Sequence, residues 1–190
     1  IFFLGLKMIG ELTYLNHLKN YRTQPVSKFF QNQLTALSNQ ISITKPVHVL
    51  ESLKVKTPMV VGFLKPVILL PFGLISNLSP KQIECILAHE LAHIKRHDFA
   101  INLIQSFVEV ILFFNPAIWW ISACIRAERE NCCYDLAIQV TGDKTTFVKT
   151  LAQLEEMRLA SSNPLAIAFA GNRNGVLHRI RRIMKKETTY

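Results

Sequence analysis

Residues 78–98 read Leu78-Ser79-Pro80-Lys81-Gln82-Ile83-Glu84-Cys85-Ile86-Leu87-Ala88-His89-Glu90-Leu91-Ala92-His93-Ile94-Lys95-Arg96-His97-Asp98. The opening of this stretch spells a helix start. Ser79 is a natural N-cap, Pro80 stands at the first helical position where a missing N–H costs nothing, and Gln82 completes a capping box. Leu78 and Ile83 have the spacing of a hydrophobic staple. A helix is therefore predicted from about Pro80 through His93. Ile83, Ile86, Leu87, Ala88 and Leu91 surround most of it with apolar surface, which places it centrally in the fold. His89 and His93 lie one helical turn apart and can present two imidazoles to one metal ion. Glu90 is one position round, able to take a proton from water at the ion without being a ligand. Buried polar groups need partners, and a metal is the most economical one here. The pattern points to metal-assisted hydrolysis, most often of a peptide bond; the alternative is a solvated helix with two ordinary histidines.

The chain has 190 residues, enough for one domain with a real core. Hydrophobic residues make up 49% and mean hydropathy is +0.22, high for a soluble enzyme and low for a polytopic membrane protein. The formal charge is +9, and the excess crowds into the end of the chain, where Arg173, His178, Arg179, Arg181, Arg182, Lys185 and Lys186 fall together. Without interleaved aromatics or a DNA-binding module, direct nucleic-acid binding is not expected. Beside apolar segments such a cluster more often marks the cytoplasmic edge of a membrane. Cys85, Cys124, Cys132 and Cys133 form no C-x-x-C pair and suggest no disulfide framework.

Residues 1–16 read as the end of a membrane helix, although the run is too short to span and carries Lys7 and Glu11. An amphipathic helix is the alternative there. Residues 17–46 form a helical linker region, with Phe29, Phe30, Leu34 and Leu37 in one helix. The segment 47–160 is the catalytic core. It opens with strand-like Val47–Leu50, then a hairpin of Met59–Phe63 and Val67–Pro71 in a small sheet packed on the central helix. An edge of that sheet could hold a peptide as an added strand. Residues 99–125 are strongly apolar but interrupted by Glu109 and by Asn115-Pro116, an N-cap and first-turn pair, so two helices should meet at Asn115. Trp119 and Trp120 suit a membrane interface, or a soluble core. The second helix should end near Gly142, and another should run from about Thr145 to Ala160. Residues 161–190 read as a basic juxtamembrane segment; within it Leu177–Lys186 is an amphipathic basic helix with Leu177, Ile180, Ile183 and Met184 on one face, and an ordinary surface helix is the alternative.

A catalytic site needs a third protein ligand. His97, Asp98, Glu109, Glu128, Glu130 and Asp135 are candidates. His97 lies about 12 Å along the axis from His89, too far unless the helix breaks. A carboxylate within Arg126–Asp135, on the helix after the Asn-Pro turn, fits better.

Several stretches taken in order resemble the BlaR/MecR-type membrane metallopeptidases. They are Thr57–Pro71 (TPMVVGFLKPVILLP), His89–Asp98 (HELAHIKRHD), Asn115–Trp120 (NPAIWW) and Arg129–Cys133 (RENCC). The resemblance covers about residues 47–186. It implies an α+β, predominantly helical, gluzincin-like fold associated with membrane helices, holding one zinc ion. It assigns His89, His93 and Glu130 as metal ligands and Glu90 as general base. In that family an Asp usually stands four residues after the ligand Glu, where it can steady a zinc ligand; here Tyr134 takes the position and Asp135 follows. Tyr134, Asp135 and Arg126 are therefore the expected hydrogen-bonding supports of the ligands, and Arg126, Arg129 and Tyr134 the candidate oxyanion partners. Loss of such support typically costs ten- to a hundredfold in metal affinity or activity, so weakened catalysis is expected.

The resemblance further implies a zinc endopeptidase at the cytoplasmic membrane of a bacterium, its peptidase part facing the cytoplasm. It would cleave a transcriptional repressor, itself, or both in antibiotic sensing. Protein substrate and membrane are the expected partners, and a homodimer is allowed. The alternative is a membrane signalling scaffold that keeps the fold with impaired catalysis.

Overall fold

The computed structural model describes residues 21–160 and 173–185, together with Gly10 and Lys19. Residues 1–9, 11–18, 20, 161–172 and 186–190, with the membrane-helix and part of the juxtamembrane expectations, lie outside the described residues. The elements in chain order are β1 (Thr23–Pro25), α1 (Lys28–Gln40), β2 (His48–Ser52), β3 (Met59–Val61), β4 (Val67–Pro71), a short α2 (Leu74–Asn77), α3 (Pro80–Lys95), α4 (Asp98–Ile111), α5 (Pro116–Thr141), α6 (Lys144–Ala160) and α7 (Arg173–Lys185). The chain is mostly helical with one small sheet.

Four strands form the sheet in the order β1-β2-β4-β3. β4 is central, and its run Val67-Ile68-Leu69-Leu70 is buried on both faces, as a continuous apolar strand should be. It pairs in parallel with β2 and antiparallel with β3, so the expected β3–β4 hairpin is present. Gly62 makes that turn. Its φ is +92°, and a Cβ there would stand 3.0 Å from the Lys65 carbonyl oxygen. β3 is left as the edge nearer α3.

One face of the sheet carries Val49, Ile68 and Leu70 against Leu34 and Leu37 of α1 and Ile83, Leu87 and Leu91 of α3. The other face buries Val61, Val67 and Leu69 with Val55. On its far side α3 turns Cys85 and Ala88 towards Tyr134, Ala137 and Ile138 of α5, Phe147 of α6 and Ile183 of α7. The motif helix is thus walled on two sides. Its start is as read: the Ser79 hydroxyl accepts from the Gln82 N–H, and the Gln82 side chain accepts from the Ser79 N–H at 2.9 Å.

Residues read as a helical linker behave otherwise. β1 pairs with β2 between Thr23 and Ser52, and α1 supplies core leucines. The Gln31 side chain bonds the Val47 carbonyl and the Val49 N–H, completing the backbone of β2 where β1 has ended. The two apolar helices do meet at Asn115, whose side chain accepts from the Ala117 N–H, and α5 ends at the left-handed Gly142. Among the described residues no helix is long and apolar enough to cross a membrane. α7 seats Val176 and Ile183 inward, while Leu177 and Met184, expected on the same face as Ile183, remain exposed.

Alanine at Gly62 or Gly142 incurs the left-handed backbone cost of about 1–2 kcal/mol. Only at Gly62 does the new Cβ also press on a carbonyl, whereas nothing lies within 4 Å at Gly142. Urea unfolding should therefore show a larger loss for Gly62→Ala than for Gly142→Ala; equal losses would mean that the hairpin turn relaxes freely.

Candidate metal centre and substrate cleft

His89 and His93 project from one face of α3, with their Nε2 atoms 3.2 Å apart. Glu130 of α5 meets them: one carboxylate oxygen lies 3.7 Å from His89 Nε2 and the other 3.7 Å from His93 Nε2. Two ligands at 2.0–2.1 Å from a tetrahedral zinc would lie roughly 3.4 Å apart. The three distances bracket that value, so the donor set fits a single ion of this kind. Small residues make the approach feasible. Ala88 and Ala137, both fully buried, stand where α3 and α5 pack together, and no bulky side chain holds the helices apart.

The second nitrogen of each imidazole differs sharply. His93 Nδ1 lies 2.7 Å from Asp98 Oδ2, and the buried Cys133 thiol donates to the same oxygen at 3.4 Å. Burial, then the Asp98 carboxylate, hold that thiol protonated far above its ordinary range. Asp98 reaches His93 because α3 stops at Arg96 and the chain turns through His97, a non-glycine residue at φ +57°. Asp98 then opens α4. A carboxylate weighed as a third ligand proves to be the partner behind His93. The same break does not bring His97 to His89, His93 and Glu130; its ring stands beside Phe63, with centroids 6.4 Å apart.

His89 Nδ1 is buried and has no hydrogen-bond partner. Behind it lies the Tyr134 ring, stacked at 4.8 Å between centroids and only 18° from parallel. The Tyr134 hydroxyl accepts from Arg179 of α7 at 2.8 Å. Tyr134 thus supports His89 by ring contact and leaves its Nδ1 unbonded. The other two expected supports lie elsewhere. Asp135 takes both guanidinium nitrogens of Arg182, at 2.9 and 3.2 Å, in the α5–α7 contact. Arg126 is bonded to Glu109 across α4 and α5. A carboxylate one residue out of register with Glu130 faces another neighbour, because one residue turns a helix by about 100°.

Burial, reinforced by neighbouring His93 and Arg179, holds the His89 imidazole neutral, with its pKa lowered to about 3. Burial also raises the Glu90 carboxyl to about 7; Glu130 adds to this and His93 opposes it. A carboxyl poised there can both accept and return a proton near neutrality.

Two hollows flank the cluster. One, of about 460 Å³, runs past His89, Glu90 and His93 between β3 with Phe63 and the wall formed by Phe99, Asn102, Leu103 and Arg129. The other, of about 740 Å³, lies beyond Glu130 and is lined by Tyr134, Phe147, Leu151, Leu154 and Arg179. Arg129 Nη2 bonds Asn102 at 3.4 Å, while its Nη1 is buried without a partner. Sequence reading counted Arg179 only as part of a basic run. Its place between Val176 and Ile183, both inward, is the pattern that could have located it.

A profile of the BlaR1 peptidase M56 family matches residues 8–183. Regulatory protein BlaR1 of Bacillus licheniformis is 30% identical over 138 residues, covering 70% of this chain and 23% of the relative. The methicillin resistance mecR1 protein of Staphylococcus aureus is 29% identical over 108 residues, 56% of this chain and 18% of that one. The chain therefore spans less than a quarter of these relatives' length. The crystal structure of S. mikatae Ste24p shares the fold with a TM-score of 0.63 at 13% identity, over 96% of this chain and 57% of that one. With the family profile matched along nearly its whole length, this chain belongs to the BlaR1 peptidase M56 family.

Proposed function

We propose that the chain is the catalytic part of a membrane-associated zinc metalloendopeptidase of the BlaR/MecR regulatory type. The observation that carries this is the convergence of His89, His93 and Glu130 beside the buried Glu90, at a cleft edged by β3. A zinc ion bound there supplies Lewis-acid activation of water and of a scissile carbonyl. His89, kept neutral by burial, and His93, with its proton held on Nδ1 by Asp98, both offer Nε2 lone pairs to the ion. Glu90 accepts the proton of the attacking water and returns it to the amine as the C–N bond breaks. β3 is an edge strand and can take an extended peptide by main-chain hydrogen bonding. Arg129 lines the cleft and is favoured over Arg126 and Tyr134 for the substrate carbonyl, since the Arg126 guanidinium is held by Glu109 and the Tyr134 hydroxyl by Arg179.

The regulatory part of the proposal rests on likeness to proteins named as a regulatory protein and as a methicillin resistance protein. On it, the substrate is a cytoplasmic repressor or the protein itself, and the peptidase faces the cytoplasm at the inner membrane. The basic α7 agrees with that side of a bilayer.

One observation favours a second reading, a scaffold with impaired catalysis. The buried, unbonded His89 Nδ1 lacks the support that Asp98 gives His93.

Zinc analysis and peptide cleavage test the first reading together. Glu90→Gln should keep one zinc per chain and lose cleavage; a variant still cleaving would remove Glu90 from the mechanism. Asp98→Asn should weaken zinc binding roughly ten- to a hundredfold in competition with a chelator. Unchanged affinity would show that the 2.7 Å contact does not tune the ligand. For the second reading, Tyr134→Asp should tighten zinc binding and raise cleavage. A wild type already saturated and fully active, with no gain from the substitution, would dismiss impairment.

A further inference from the structure

Between Phe99 and Ile125 the sequence carries one formal charge, Glu109. This stretch forms α4, the Asn115 turn and the first part of α5, and its apolar side chains face outward. Ile104, Phe107, Phe114 and Trp120 are all more than half exposed. On α4 the exposed apolar positions from Ile101 to Ile111 cover an arc of roughly 160° at 100° per residue, the outer side of an amphipathic helix. On α5, residues 119–121 and 123–125 are all exposed and only Ser122 is turned inward.

The polar groups of the same helices face each other. The buried Gln105 donates to the Ser122 carbonyl at 2.9 Å, Arg126 is bonded to Glu109, and Arg129 bonds Asn102. At the tip the Trp119 indole N–H donates to the Phe113 carbonyl at 2.8 Å, and Asn115 caps Ala117. The pair is therefore inverted relative to a water-soluble hairpin, with a polar seam inside and an apolar surface outside. The first part of α5 is apolar nearly all round, and such a helix is stable only inside a core or a membrane. Intramembrane polar residues pair inward in just this way.

We infer that the α4–α5 hairpin inserts into one leaflet of a phospholipid bilayer without crossing it. A protein partner would cover one side of the hairpin, whereas the exposed apolar surface passes from the outer side of α4 over the tip at Phe113 and Phe114 and around the first part of α5; a fluid apolar medium covers all of it. The length agrees with insertion into one leaflet. Fourteen residues of α4 rise about 21 Å, short of a hydrocarbon core of about 30 Å. Lys95 and Arg96 stand at the root of one leg and Arg129 at the root of the other, at the level of anionic headgroups, while Arg126 is neutralised within the seam by Glu109. Phe99, Asn102 and Leu103 of α4 also wall the cleft, so insertion places the cleft at the bilayer surface. The inference deepens the membrane-associated part of the function proposed above, and does not depend on catalysis.

The two tryptophans of the chain, Trp119 and Trp120, lie in the hairpin and make it its own probe. The 190-residue chain is mixed with phosphatidylcholine–phosphatidylglycerol vesicles whose acyl chains are brominated at a shallow or a deep position. Expected are co-sedimentation with the vesicles, a blue shift of the emission, and stronger quenching by shallow than by central bromines. Phe107→Glu and Phe114→Glu should each weaken partitioning by roughly a hundredfold, with far-ultraviolet dichroism unchanged. Ile104→Glu serves as a second position if either variant misfolds. Sedimentation without quenching would overturn the hairpin inference alone and move binding to the basic α7. A chain that stays in solution with shielded tryptophans as a dimer would overturn it in favour of a second copy. A chain that stays in solution as a monomer with water-exposed tryptophans would overturn membrane association as well. Equal quenching from bromines confined to the far leaflet would replace insertion by spanning. Loss of peptidase function is read separately, in the Glu90→Gln comparison.

Discussion

Close contact between α3 and α5 is the constraint on which the rest of the molecule turns. Neither helix alone holds more than part of the site: α3 brings two imidazoles and a carboxyl, and α5 brings Glu130. Their separation is set by Ala88 and Ala137, and larger side chains there would carry Glu130 out of reach of both Nε2 atoms. The sheet and α1 press α3 from the opposite side with a continuous layer of leucine, isoleucine and valine. The polar cluster is therefore clamped between two apolar contacts. That accounts for its tight geometry despite the several kcal/mol that unpaired buried polar groups would cost.

Much of this was legible because the signals are local. The Ser79–Gln82 capping box, the Asn115-Pro116 start, the Gly142 stop and the β3–β4 hairpin each lie within a few residues of one another, and each is found where the pattern put it. The histidine pair is likewise a one-turn pattern. What escaped depends on partners distant in sequence. β1 is three residues long and has no strand-like alternation; it is a strand only because the edge of β2 is there to receive it. The turn at His97 has no glycine or proline to announce it. That turn is what delivers Asp98 to His93.

The substitution at Tyr134 shows how far a motif comparison reaches. It identified the position where support for a ligand was in question. It did not show which histidine would be affected, that an aromatic ring would fill the space, or that Asp135 would be taken up by Arg182. Those outcomes depend on α7, some 45 residues further on, and on which face of α5 it covers.

The bond from Arg179 to Tyr134 has a thermodynamic corollary. α7 is fastened to α5 at two consecutive residues, through Tyr134 and through Asp135, and the first of these is the backing of His89. If the ligand group binds a cation more tightly with that backing in place, then the cation must hold α7 to the body by the same free energy. The two equilibria are reciprocal. Occupancy of the centre and attachment of the chain's last described helix then become one coupled quantity, and a force applied to either is felt at the other.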